Sequence, residues 1–433
     1  MPTTLSKKQA VIIIAGVVLV VVIGALIFMN LRPAATNQSS IKLTVWGTED
    51  ANNFKNIFSA FPYATVTYVQ KDPATYDADL LSALAAGTGP DVFEMSNRDL
   101  PKMQAVLAPL PAAYAANFNM LTLQNDFPDV VAQDFSAGTS SIYGLPLSID
   151  TLAMVYNKDL FNSAGIAVPP KTWDGFDADI AKLRQVNAQG QLTQAAAAIG
   201  GSTASIANAP DLLSLLMLQN GTPMTNDAVT AATFASTANA APGIAAFNFY
   251  LQFANAGSPY YTWSDGMGDS TADFVAGKVA VIFAYQADLA AIKAKAPFLN
   301  FGVAPMPQAT GATVAVNYPK YDGFVAAKAG QVSAAWSFIL YLTTTPGNGT
   351  IYQEASGKPP ALRTDIAADL TDPNLAVFAS QALTSKSWHE PDDAKVQAAF
   401  DAAIRSAASG ATDPATALGI AQSSITALYL SAQ

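Results

Sequence analysis

Hydrophobic positions follow two regimes along this chain. From Ala10 to Met29 they are continuous: AVIIIAGVVLVVVIGALIFM contains no charged or polar side chain. At a rise of about 1.5 Å per residue, such a helix would be about 30 Å long, the thickness of a bilayer's hydrocarbon core. The apolar part of a cleaved signal peptide is shorter, about 7–15 residues. Small residues for cleavage occur at Ala34-Ala35-Thr36, but behind Asn30, Arg32 and Pro33, so residues 10–29 are expected to remain as a transmembrane signal anchor. Lys7 and Lys8 before the run modestly favour residues 1–9 on the cytoplasmic side. Residues 30–40, ending PAATNQSS, read as a flexible tether.

From Ile41 the pattern becomes periodic. IKLTVWGT (41–48) alternates on a period of two with β-branched residues, which predicts a strand. It ends at Thr48-Glu49-Asp50, side chains suited to cap a helix. Phe54, Ile57, Phe58 and Phe61 recur at helical spacing. TVTYVQ (65–70) is a second strand, TYDADLLSALAAG (75–87) a helix stopped by Gly87, and PDVFEM (90–95) a short buried strand. This β-α-β-α-β order predicts an open α/β sheet with helices on both faces. Ligands of such sheets sit beyond the carboxyl ends of the strands, where strand order reverses. That rule selects Trp46, Gly47, Thr48 and Glu49 after the first strand, and Ser96, Asn97 and Arg98 after the third.

Further on, SIYGLPLSIDTLAMVYNKDLF (141–161) carries strands around a Gly-Leu-Pro turn, and Thr172 is placed to cap a helix. Residues 174–258 read as largely helical, with Ala-rich stretches at 195–198 and 228–246. GKVAVIFAY (277–285), NFGVAPMP (300–307) and VNYPKYDGFVAAK (316–328) read as strands, the last broken at Tyr321-Asp322-Gly323. Helices close the chain. Trp173, Trp336 and Phe338 fall on or at the start of helices and are expected in the core, whereas Trp263 could rim a cleft.

Composition narrows the chemistry. The 433 residues exceed what one core holds, so two domains are expected. There is no cysteine, which removes disulfides, thiolate nucleophiles, Cys-ligated metals and a lipid on a processed N-terminal cysteine. His389 is the sole histidine, so no two-histidine metal site can form; it is expected to be a surface or hydrogen-bonded side chain. Setting aside Lys7, Lys8 and Arg32 leaves 19 basic against 32 acidic residues, a body of net −13 that would repel nucleic acid. Asp265, Asp269 and Asp273 lack the alternating spacing of a calcium loop, and Asp269 or Ser270 fits a helix cap. No nucleophile elbow, metalloprotease helix or phosphate-binding loop motif occurs, so no catalytic residue, metal or cofactor is expected.

YGLPLSIDTLAMVYNKDLFNSAGIAVPPKTWDGF (143–176) resembles the family 1 extracellular solute-binding proteins of ABC importers, the maltose- and oligosaccharide-binding class. LLSALAAGTGPDVF (80–93), FVAGKVAVIFAY (274–285), FGVAPMP (301–307), AAWSFILYL (334–342) and SGKPPALR (356–363) continue the likeness in order. The resemblance implies a two-lobe periplasmic-binding-protein fold of type II character, each lobe an open sheet flanked by helices. Lobe 1 would comprise 41–146 plus 321–365 and lobe 2 147–320 plus 366–433. It implies a monomer that closes over a small-molecule ligand, most simply a carbohydrate, and delivers it to permease subunits, with no enzymatic activity.

The resemblance adds site residues: Asn97 and Asp150 as polar contacts, Tyr285 and Trp388 as aromatic faces, and Tyr321 and Asp322 at the crossover. Apart from Arg98 the cleft loops show no basic group placed for a phosphate, which favours a neutral guest. A surface glycan hydrolase and a sensing or adhesion module are the alternatives on the same scaffold. A single undivided core, or a gap plugged by the chain's own side groups, would overturn the receptor assignment.

Overall fold

The computed structural model describes residues 41–138, 140–238, 241–372 and 375–431. The apolar run 10–29 and the tether lie outside them; among the described residues no helix is long and apolar enough to cross a membrane. The strands in chain order are β1 (Lys42–Gly47), β2 (Thr65–Gln70), β3 (Val92–Ser96), β4 (Leu107–Ala108), β5 (Ser136–Ala137), β6 (Ser141–Ile142), β7 (Gly144–Pro146) and β8 (Asp150–Thr151). They continue as β9 (Ala153–Asn157), β10 (Gln185–Val186), β11 (Leu192–Ala197), β12 (Val279–Ala284), β13 (Phe301–Ala304), β14 (Pro319–Lys320) and β15 (Asp322–Ala327).

Two sheets carry two cores. The first has the order β2-β1-β3-β15-β4, with β7 also paired to β15. Its β1 is parallel to both β2 and β3, and β15 returns antiparallel beside β3. The second runs β10-β11-β12-β9-β13. Around the first sheet pack Leu43, Val45, Phe54, Ile57, Phe93, Trp336 and Phe338 among others; around the second, Val155, Phe176, Leu213, Trp263, Val281 and Phe400. Core membership changes between Ile149 and Leu152, between Tyr318 and Tyr321, and between Ala382 and Trp388. At the first two of these the short ribbon β8–β14 pairs Thr151 with Pro319 and Asp150 with Lys320. The chain therefore crosses between lobes on paired strands, and a hinge of this kind can bend while its hydrogen bonds persist.

Local signals are realised with few changes. Asp50 accepts from the Asn52 amide at 2.8 Å and opens a short 3₁₀ turn before the helix Lys55–Ser59, which buries Ile57 and Phe58. Gly87 adopts φ +70° after the helix Tyr76–Ala85, a conformation that favours glycine. Thr172 caps Trp173–Leu183 through the Gly175 amide, and Asp269 caps Ser270–Val275 through Ala272. One expectation is corrected. Ala195–Ala197 lie in β11 and not in a helix, parallel to β12 at the centre of the second sheet. The amides of Ala196 and Ala197 donate to the Thr262 hydroxyl at 2.7 and 3.1 Å, so a side chain supplies acceptors that no strand offers there. Alanine favours a helix, but a strand buried on both faces overrides that preference by packing. The Ala-rich stretch 228–246 is likewise mostly turn, with the helix starting only at Pro242.

Candidate ligand-binding site

Strand order reverses beside β1, and the carboxyl ends of β1 and β3 deliver two loops to one place. The register sets Asp322, at the start of β15, opposite Ser96 and Phe324 opposite Glu94. Gly47, Thr48, Glu49 and Asp322 thus meet around Glu94, a buried carboxylate that points out of β3. Its Oε2 accepts from the Thr48 amide at 3.1 Å, its Oε1 from the Tyr68 hydroxyl at 3.1 Å. Tyr76 donates to the Glu94 carbonyl at 2.7 Å. Burial, then Asp322 and Glu49 nearby, push the Glu94 carboxyl up to about 8 despite those two hydrogen bonds.

Lys358, from the loop after the helix Asn348–Ser356, forms an ion pair with Glu49. Burial alone would lower its ammonium, yet Asp322 and Glu49 outweigh burial and hold it above its ordinary value. Leu147, Ser148, Phe324 and Tyr352 complete the walls, around free room of about 10 Å³. That is space for about one water. Trp46, one residue before Gly47 and paired with Phe93, is turned to the other face of the sheet, partly buried with the Lys71 ammonium 3.5 Å above its ring. Gly47 is required here, because a β-carbon would run into the Glu94 carboxylate and the Tyr68 hydroxyl. Gly47→Ala is expected to lower stability by about 1–3 kcal/mol, read as a fall in the urea midpoint; an unchanged midpoint would show that Glu94 has another rotamer to occupy.

Behind this pocket the lobes meet through charged side chains. Arg98, 1% exposed, reaches from the loop after β3 into the second lobe. Its Nη1 donates to Asp211 at 3.0 Å and to Asp393 at 3.1 Å, and its Nη2 to the Pro319 carbonyl at 3.3 Å. Glu390 lies 3.8 Å from Nε, and the guanidinium faces the Tyr318 ring at 4.8 Å. Burial would raise Asp211, but Arg98 overrides it and holds that carboxyl below its ordinary range. Ser96 donates to Asp393 at 3.2 Å, and Gln286 Nε2 donates to the Gly357 carbonyl at 2.8 Å. The junction is therefore filled by the chain's own side groups.

The sequence-selected residues divide into three sets. Gly47, Thr48, Glu49 and Asp322 gather at the Glu94 pocket, Trp46 faces the other side of the sheet under Lys71, and Ser96 faces Asp393 at the lobe junction. Tyr285 ends β12, is 4% exposed, and donates its hydroxyl to Asp211 at 2.8 Å. The others serve joints. Asn97 and Tyr321 both donate to Asp134, at 2.8 and 2.6 Å, and Ser387 donates to the same carboxylate. Burial raises Asp134 to about 6 against those three donors. Asp150 accepts from the amides of Thr151, Gln286 and Ala287 at 2.8–3.0 Å, so it caps the helix Gln286–Lys295 from the hinge strand. Trp388 lies in the second core against Phe234 and Phe400. His389 is partly buried, and burial lowers its imidazole.

Sequence reasoning missed Glu94, Lys358, Asp211 and Lys320. Glu94 carried a signal, as the one charge inside the apolar run VFEM; Lys358 lay within SGKPPALR but was not separated from its loop. Arg98 is not alone in supplying positive charge: Lys320 stands over the Tyr285 ring and Lys358 lines the Glu94 pocket. A larger hollow of about 260 Å³, on the second lobe between Trp173, Leu216, Phe249 and Thr310, lies away from it. Its polar groups satisfy one another, Trp173 Nε1 with Gln219 at 2.6 Å and Thr310 with Asp174 at 2.7 Å.

Two sheet-bearing lobes, joined by crossing strands and meeting over loops at a reversal of strand order, define a hinged binding protein. Residues 47–349 match the family model for bacterial extracellular solute-binding proteins, and the chain belongs to that family. Putative binding proteins of Brucella abortus and Brucella suis are 49% identical over 47 residues, which span only 11% of this chain and 11% of each relative. Solved structures share the fold at low identity. The sugar-binding protein MalE of Xanthomonas citri aligns with TM-score 0.75 and 19% identity, over 90% of this chain and 98% of that one. The cyclic α-maltosyl-1,6-maltose binding protein of Arthrobacter globiformis gives 0.72 and 18%, over 90% and 99%. A cyclo/maltodextrin-binding protein complexed with maltotetraose gives 0.71 and 20%, over 90% and 98%. The family resemblance and the two-lobe α/β architecture expected from sequence agree with these findings.

Proposed function

We propose that this chain is an extracytoplasmic receptor, tethered to the membrane through residues 10–29. It captures a sugar or oligosaccharide between its lobes and delivers it to the permease subunits of an ABC importer. The observation that carries the reading is the pocket at the ends of β1 and β3. There Glu49, Glu94, Asp322 and Lys358 offer polar donors and acceptors beside the ring of Tyr352. A sugar needs such groups in place, since each hydroxyl left unpaired on burial costs about 1–3 kcal/mol. The neighbours of like fold include proteins that bind maltotetraose and other oligosaccharides.

The filled junction is the outcome set above as overturning capture. The lobes nonetheless have separate cores, and what fills the gap is side chains in ion pairs, which would have to part for a guest to enter. Family membership keeps the receptor reading in force. The carboxyl groups here hydrogen-bond a bound guest, Glu94 holding its proton up to about pH 8 and so able to donate, and binding without turnover is expected.

Thermal unfolding across a glycan panel tests the proposal. A correct ligand at a hundredfold excess over its dissociation constant should stabilise the protein by about 2.7 kcal/mol, with the sugar recovered intact by chromatography. No stabilisation by any member, or release of shorter sugars, would overturn it.

A further inference from the structure

The hydroxyl of Tyr285 shares its acceptor with a residue of the opposite lobe. Asp211, near the start of the helix Ala209–Gln219, receives three donors: Arg98 Nη1 at 3.0 Å and Gln397 Nε2 at 2.9 Å on Oδ1, and the Tyr285 hydroxyl at 2.8 Å on Oδ2. Gln397, Asp211 and Tyr285 all belong to elements of the second lobe; Arg98 alone comes from the first. The Tyr285 amide is bound to Asp288 at 3.0 Å, which fixes the backbone of the residue but not its ring. Tyr285 is 4% exposed and packs within the second core, and the ammonium of exposed Lys320 stands over its ring, 5.5 Å from the centre.

We propose that Arg98 is a positioning residue for the ligand site: on lobe closure its guanidinium clamps Asp211, and the clamped carboxylate fixes the Tyr285 ring as a face for the guest. The inference rests on the reading that a carbohydrate binds at this junction. Its physical basis is charge. Asp211 is buried, and with the lobes apart it keeps two neutral donors but loses its only ion-pair partner among the described residues. A buried carboxylate in that state draws in water, and the tyrosine hydroxyl then has competing partners. When Arg98 returns, it binds Asp211, Asp393 and the Pro319 carbonyl at once. That geometry needs a planar fork of donors and cannot be reproduced by a single ammonium. Closure and completion of the aromatic face are thereby one event, so an open protein presents an unfinished site.

The test uses the full chain with fluorotyrosine incorporated, the Tyr285 signal being assigned by its loss in Tyr285→Phe. In Arg98→Lys the Tyr285 fluorine resonance should shift and broaden. Asp211→Asn, which keeps the side-chain shape while removing the ion pair, should do the same and serves if Arg98→Lys does not fold. With maltotetraose as probe, Arg98→Lys and Tyr285→Phe should each raise the dissociation constant at least tenfold, and the double variant should be no weaker than the worse single one. A Tyr285 resonance unmoved in both variants, or losses that multiply in the double variant, would overturn the inference. Absence of maltotetraose binding by the unaltered chain, with the resonance still responding to Arg98→Lys, would count against the carbohydrate reading and leave the clamp standing.

Discussion

Raising the pH from 5 to 9 is expected to destabilise this protein, with Glu94 and Glu390, both raised chiefly by burial, among the main contributors. In the unfolded chain the Glu94 carboxyl has its ordinary value of 4.5; in the fold, burial beside Asp322 and Glu49 raises it to about 8. The folded state therefore holds this proton more tightly than the unfolded state. Its stabilising effect is complete below about pH 4.5 and is lost as the pH rises through 8. Asp99, raised chiefly by burial to about 7, and Asp134 and Asp150, raised by burial to about 6, act in the same direction at lower pH. At about 1.4 kcal/mol per unit, the Glu94 shift alone corresponds to something on the order of 5 kcal/mol across its window. Asp211 and Asp392 work the other way, being lowered by their cationic neighbours against burial, so stability is also lost below about pH 4. Urea midpoints measured from pH 4 to 9 should peak on the acid side of neutrality. Glu94→Gln, which keeps an oxygen for the Thr48 amide, should flatten the curve between about pH 6 and 8.5. A variant whose midpoints track the wild type across that interval would assign the slope to other groups.

Trp336→Ala should cost about 3–5 kcal/mol, a large part of the margin of an ordinary domain. Trp336 is fully buried in the first core, on the helix Val332–Thr344, and its Nε1 donates to the Ala108 carbonyl at 3.0 Å. Removing it leaves a cavity in the first core and takes away the indole donor of that carbonyl. Trp263, 1% exposed with its Nε1 on the Ser205 hydroxyl at 3.1 Å, holds the equivalent position in the second core. Because the cores are separate, calorimetry should show Trp336→Ala moving one transition and Trp263→Ala another. A single transition that shifts equally in both variants would mean that the ion pairs at the junction couple the lobes more strongly than their cores are divided.

Trp263 also shows where local pattern ends. Its surroundings, YYTWSDGMGDS, read as a polar loop that could rim a cleft, yet the indole is buried against Ser205. Trp388 sits in KSWHEPDDA, another stretch with no period, and its place against Phe234 and Phe400 depends on segments far along the chain. Trp173, Trp336 and Phe338 lie on or at the start of periodic helices, and the same reasoning assigned them correctly to the cores. The difference is physical. Periodicity records which face of a helix or strand avoids water, whereas a loop side chain is placed by whatever packs over it.

By itself the sequence determined the opening β-α-β-α-β order and the two loops that meet beyond β1 and β3, which follow from local alternation and from the handedness of β-α-β connections, acting over a few tens of residues. The family was legible from its motifs standing in order along the chain. Only the tertiary structure decided that Lys358 pairs with Glu49, that Arg98 enters the second lobe to meet Asp211 and Asp393, and that Asp134 joins Asn97, Tyr321 and Ser387. Those partners lie from 37 to 309 positions apart along the chain. A charge in a sequence shows that a partner is needed if it is buried, but which partner is fixed by how the chain crosses between its two cores.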